Sequence, residues 1–112
     1  MQAKKSLFME LFGDYPTIRV LDFLLTEREL DFSISDMARN AGIGRATLYR
    51  IWEQLIDNNI IIYTRAVGKS KLYKLNTQNQ KIKKMIEIDD MLILEELRHK
   101  TEKQKPKIKI TV

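Results

Sequence analysis

Apolar residues along this chain recur at helical spacing, change to strand spacing once, and then return to helical spacing. Between Pro16 and Thr26, Ile18, Leu21, Leu24 and Leu25 fall on one side of a 3.6-residue repeat, and Val20 and Phe23 widen the stripe. Pro16 suits the first helical position, where a missing amide hydrogen costs nothing. Ahead of it, "SLFMELFG" predicts one or two helical turns stopped at Gly13. After it, "ERELDF" reads as a polar connector. Ser35 is placed to cap a short helix with Asp36 in its first turn. Met37 and Ala38 would face inward there, and Gly42 would supply the left-handed stop. The next helix has the cleanest stripe: Leu48, Ile51, Trp52, Leu55 and Ile56 match the amphipathic template, and Asn58-Asn59 can end it.

The period then changes. Ile60 to Ala66 is rich in β-branched residues and tyrosine, Leu72 to Leu75 is a second β-prone run, and "VGKS" carries a turn glycine between them. This predicts a β-hairpin. From Thr77 or Gln80 to His99 the helical period returns, with a band of apolar residues too wide for a helix alone in water. "KTEKQKPKIKITV" closes the sequence as a basic tail whose "KIKITV" alternates as a sheet edge would. The predicted organisation is an N-terminal segment (1–14), one domain (15–76), a C-terminal helix (77–99) and the tail (100–112). The fold class is mainly α with a small β-hairpin, or α+β.

With 112 residues the chain suits one small domain, marginal enough that a second copy would help it. Its net charge of +5 is uneven. Residues 36–75 carry seven basic and three acidic side chains, and residues 100–112 carry five and one. Residues 1–35 and 76–99 are slightly acidic. A basic excess confined to the middle and the tail is what phosphate binding needs. There is no cysteine, which excludes disulfides, thiolate metal sites and cysteine nucleophiles. The N-terminus lacks the apolar core of a signal peptide, and no apolar run is long enough to span a membrane. The expectation is a cytoplasmic protein.

Helix, short helix, glycine turn, amphipathic helix and basic hairpin, in that order, make helix-turn-helix geometry with a wing. Ala38 is small enough for a close helix crossing, and Ile43 plugs the turn. Stepping about 100° per residue from Leu48 puts Ala46, Arg50, Glu53 and Asp57 on the opposite face, flanked by Thr47 and Tyr49. Arg45 and Arg50 can reach phosphates or guanine edges, and Thr47 and Tyr49 offer hydroxyls. Ala46 keeps the face flat enough to enter a groove. Arg65, Lys69 and Lys71 are expected together at the hairpin tip, where they would position the protein on a sugar-phosphate chain. An amphipathic helix with two arginines is ordinarily a plain surface helix. The conjunction in this order is what points to nucleic-acid binding.

"ISDMARNAGIGRATLYRIWEQLIDNNIIIYTRAVGKSKLYKLN", with the lead-in "LFGDYP", resembles the winged helix-turn-helix domains of prokaryotic transcription regulators. Over roughly residues 11–90 the chain looks like a group of small archaeal regulators related in architecture to the MarR and ArsR families. The resemblance implies a DNA-binding transcription factor, usually a homodimer, with recognition helix 45–58 and wing 61–75. Many members place serine or threonine where Gly44 stands, and glycine where Asn59 stands. Metal sensing of the ArsR kind uses cysteine and histidine ligands, whereas this chain has only His99, a surface residue beside Arg98 and Lys100. No metal and no cofactor is expected, and nothing marks an effector pocket. Ile82, Met85, Ile86, Ile93 and Leu97 are the expected dimerisation residues. The alternative is a winged-helix module that binds protein within a transcription or replication assembly. No enzyme signature is present: no phosphate-binding loop, nucleophile elbow or zinc-protease motif. Asp89-Asp90 reads as helix solvation.

Overall fold

Seven elements follow one another in the computed structural model, which describes residues 5–104. They are α1 (Leu7–Phe12), α2 (Pro16–Thr26), α3 (Ile34–Ala41), α4 (Arg45–Asp57), β1 (Ile61–Val67), β2 (Ser70–Leu75) and α5 (Gln80–Gln104). Residues 105–112, with the alternating "KIKITV", lie outside the described residues, as do residues 1–4 of the N-terminal segment. The expected basic tail therefore begins as helix, because α5 runs past His99 to Gln104.

Each helix contributes one apolar stripe to a common core. α2 supplies Val20, Leu21, Leu24 and Leu25, α3 supplies Met37, Ala38 and Ala41, and α4 supplies Leu48 and Leu55. Phe8, Ile61, Leu75 and Ile82 close it from α1, the hairpin and α5. Ala38 and Ala41, having short side chains, let α3 lie against both α2 and α4. Most helix ends sit where the residues dictate. Pro16 opens α2, and Gly42 ends α3 in the left-handed region at φ 72°. The cap of α3 differs from expectation: Ser33, not Ser35, accepts the amide of Asp36, which starts the helix at Ile34. Ser33 sits on extended backbone with its oxygen aimed at the third amide ahead, the geometry a capping side chain needs.

The connector after α2 is more than a polar link. Phe32 exchanges both backbone hydrogen bonds with Tyr73 at 2.8 Å, adding a single-residue bridge to the edge of the hairpin. Phe23 and Phe32 pack together with ring centroids 4.7 Å apart.

Two polar devices set the direction of α5. Asn59 ends α4 with φ 54°, and its carbonyl accepts from the side-chain amides of both Asn76 and Asn79. The Asn79 side chain also donates to the carbonyl of Asn58 and accepts the backbone amide of Lys81 at the start of α5. One side chain thus serves the end of one helix and the start of another. Farther along, Arg28 donates to the carbonyl of Leu25 and to both Asp89 (3.2 Å) and Asp90 (3.0 Å). The reading of this acidic pair as helix solvation is therefore corrected. Asp89 is only 5% exposed, and Arg28 reaches across from the end of α2 to meet it.

Burial pushes the Asp89 carboxyl up, and Arg28 offsets this only in part, with Asp22 and Asp90 adding like charge. A carboxyl raised in the folded state opposes folding at pH values above its folded pKa and stops doing so once protonated. Asp89→Asn is therefore expected to melt no lower than the parent at pH 7, with the difference closing as the pH falls through the acid range. Thermal melts of both proteins at several pH values check this, and a variant markedly less stable at pH 7 would contradict it.

Candidate nucleic-acid interface

The turn between α3 and α4 is built by three residues and braced by a fourth. The amide of Gly42 points back at the carbonyls of Ala38 and Arg39, and the amide of Ile43 bonds the carbonyl of Ala38 at 3.0 Å. These bonds satisfy the last carbonyls of α3. Ile43 packs against the core as the plug of the turn. Arg19, from α2, donates to the carbonyl of Gly42 at 3.2 Å. The φ angle at Gly42 is what calls for glycine, since a Cβ there would meet only the movable tip of the Arg19 side chain, at 2.8 Å. Arg19 is itself held by Asp14, whose carboxyl it keeps below the usual range.

This turn starts α4 on extended backbone at Gly44, which offers no side-chain cap. The first amides of the helix are left without a side-chain partner, in keeping with the missing serine or threonine. Leu48 and Leu55 are fully buried, so the opposite face is forced outward. Arg45, Ala46, Tyr49, Arg50 and Glu53 are all exposed there, and Thr47 is half-buried. Arg50 lies along the helix, donating to the Thr47 hydroxyl at 3.4 Å. The five helix residues expected to contact DNA are thus together on one surface.

The hairpin stands beside it. β1 and β2 pair antiparallel, ending at Val67 opposite Ser70, so the loop is the two residues Gly68-Lys69. Gly68 takes φ 60° there, the positive angle that the first residue of a tight hairpin connection needs to match the strand twist. Open space surrounds it, so glycine is needed for the backbone angle. Lys69 and Lys71 are exposed at this end. Arg45, Arg50, Lys69 and Lys71 make no ion pair among the described residues. Arg65 does. It sits opposite Leu72, back from the tip, and pairs with Asp31. The expected three-residue cluster at the tip is therefore two lysines, with Arg65 turned to the connector.

Three aromatic residues join the helix to the hairpin, and sequence reading did not assemble them. Trp52 of α4 meets Tyr73 of β2 edge-on at 4.8 Å, and Tyr63 of β1 meets the same ring at 5.8 Å. Edge-to-face rings hold a set angle between the elements that carry them. The single tyrosine in each strand, Tyr63 and Tyr73, was the available signal.

The residues expected to bind a second copy divide. Ile82 is 1% exposed inside the chain's own core, and Met85 and Ile86 pack partly against it. Ile93 and Leu97 are exposed, together with Ile88, Met91 and Leu94. Ile82 is thus spent on intramolecular packing, since it is the first apolar residue of α5 and joins Leu55 and Leu75 in the core. Among the described residues no group of three or more His, Cys, Asp or Glu side chains could hold a metal ion, and no helix is long and apolar enough to cross a membrane.

No protein-family model matches this sequence, and no curated protein matches it. Solved structures do. The adhesin competence repressor of Streptococcus pyogenes aligns over 75% of this chain at a TM-score of 0.56 and 13% identity. The chain spans 62% of that repressor's length. A possible transcriptional regulator of Methanosarcina mazei aligns over 89% of this chain and 86% of its own, at a TM-score of 0.53 and 14% identity. A mutant of MepR from S. aureus, bound to an oligodeoxyribonucleotide, aligns over 91% of this chain and 73% of its own, at a TM-score of 0.56 and 16% identity. At such identities the shared property is the fold. The five helices and two-strand hairpin among the described residues give this chain the winged helix fold of these regulators.

Proposed function

We propose that this protein is a sequence-specific double-stranded DNA-binding transcriptional regulator that works as a homodimer in the cytoplasm, with no catalytic role. One observation carries the reading. The exposed face of α4 presents Arg45 and Arg50, without ion-pair partners among the described residues, beside small and hydroxyl-bearing residues and next to the lysine-tipped hairpin. A flat cationic helix face fits the major groove, and a guanidinium can bond a guanine edge through two hydrogen bonds. The uncapped amides at the start of α4 favour a phosphate. Lys69 and Lys71 lie where a wing follows the sugar-phosphate chain. That a MepR mutant was solved with an oligodeoxyribonucleotide supports the assignment by likeness of fold.

The homodimer rests on apolar surface left uncovered. Met91 (66%), Leu94 (58%) and Leu97 (53%) are exposed along α5, and Leu11, Phe12 and Tyr15 are exposed near α1. Apolar surface this extensive on a small domain marks an interaction site. A second copy would cover it and bring two recognition helices to bear on one two-fold-symmetric site.

Arg50→Ala is expected to weaken specific binding by roughly 1–3 kcal/mol and to relax the preference at one base pair. Lys69→Ala is expected to weaken all duplexes alike and to flatten the salt dependence by about one phosphate. Fluorescence anisotropy with labelled duplexes of several sequences measures both, and two variants that bind every duplex like the parent would refute the contact assignment. Leu94→Glu is expected to convert the dimer to monomer in sedimentation equilibrium; a parent that is already monomeric at high protein concentration would refute the dimer.

A further inference from the structure

The wing's third cation is engaged within the chain. Arg65 Nε donates to Asp31 Oδ2 at 2.9 Å and Arg65 Nη2 donates to Asp31 Oδ1 at 3.2 Å. Such a two-point guanidinium–carboxylate pair fixes direction as well as distance. The Thr64 hydroxyl lies 2.7 Å from the same Oδ2 and 3.1 Å from the carbonyl of Leu72, so its single hydrogen favours Asp31.

Two adjacent strand residues normally point to opposite faces and could not share one carboxylate. They do so here because β1 is irregular at this point. The register passes from Tyr63 opposite Tyr73 directly to Arg65 opposite Leu72, leaving Thr64 as the extra residue of a bulge. The bulge turns both side chains toward the connector between α2 and α3. Two further links join that connector to the other strand: Glu29 faces Lys74 at 3.7 Å, and Phe32 bridges Tyr73 through backbone. Residues 29–32 therefore grip both strands of the wing from one side.

We infer that Asp31 is a positioning residue for the wing: it sets the angle at which Lys69 and Lys71 are presented, and it holds Arg65 away from DNA phosphates. The inference rests on the DNA-binding reading of the wing. It also replaces the expectation that Arg65 contacts DNA. The carboxylate occupies the Nε–Nη2 edge of the guanidinium and offsets its charge, which weakens the pull of a phosphate on the remaining Nη1 donors. Arg65 and Thr64 hold the Asp31 carboxyl down to about 2, so the grip is present above the usual carboxylate range and is lost only as the pH falls toward that value.

Salt titrations of duplex binding, run beside amide hydrogen exchange of the hairpin, test this. Five proteins are compared: parent, Arg65→Ala, Asp31→Asn, Asp31→Glu and the double variant of Arg65→Ala with Asp31→Asn. Arg65→Ala is expected to keep the parent's slope of log affinity against log salt, since no phosphate contact is lost. Asp31→Asn is expected to steepen the slope by about one, because the freed guanidinium gains a phosphate, while the loosened wing lowers affinity at every salt concentration; the double variant is expected to return to the parent slope with that lower affinity. Asp31→Asn is also expected to speed exchange of the β1 and β2 amides severalfold, whereas Asp31→Glu restores the parent rate. An Arg65→Ala slope flatter by about one, with hairpin exchange unchanged in Asp31→Asn, would overturn the inference. If the parent binds no duplex even at low salt, the DNA reading fails, and hairpin exchange alone then decides whether Asp31 holds the wing.

Discussion

The burial of Leu48 and Leu55 along one stripe of α4 is the constraint on which the rest of this structure depends. Two fully buried leucines, about two turns apart, allow the helix one rotational setting about its axis. Turning it would expose both and cost several kcal/mol, since burying a leucine side chain is worth about 1.5–3 kcal/mol. That setting alone sends Ala46, Arg50 and Glu53 outward. The apolar half of the helix thus chooses which polar residues become a surface. α2 and α3 supply the core against which the stripe is buried, and the turn at Gly42 sets the crossing.

Polar contacts then orient what packing leaves loose. A two-strand hairpin has little core of its own and is marginal alone. Here Asp31 and Glu29 grip its strands from the connector, and the Trp52–Tyr73–Tyr63 rings brace it against α4. The 25-residue α5 is aimed by Asn79 at its start and by Arg28 farther along. Beyond that point most of its apolar residues lie open. Exposed surface ion pairs are each worth little in stability. Their value here is directional, because a wing or a helix held at the wrong angle would misplace the residues it carries.

Much of this was legible in the sequence because it is local. The periods of α2 and α4, the hairpin with its turn glycine, and the stops at Gly42 and Asn59 follow from neighbouring residues and backbone preference. The outer face of α4 was legible for the same reason, being the complement of a clean apolar stripe. What stayed hidden depends on partners far apart in the chain. Arg65 looked like a third free cation at the tip until its distance from Asp31 was known. Asp89 looked like solvent-facing helix until Arg28 was seen across from it. Ile82 belongs to the same periodic band as Leu97, and only the fold tells the buried end of that band from the open one. Ser33 and Ser35 are equivalent caps by composition, and the backbone conformation alone distinguishes them.

We propose that the outer face of α4 and the lysine-tipped wing together read duplex DNA as a two-fold-symmetric pair. The most direct measurement is selection of bound sequences from a random duplex pool, repeated across a range of salt concentrations. A dimeric regulator would show affinity that falls steeply with salt and an enriched site with two related halves about one helical turn apart. Absence of binding at low salt, or retained duplexes with no shared sequence, would contradict it.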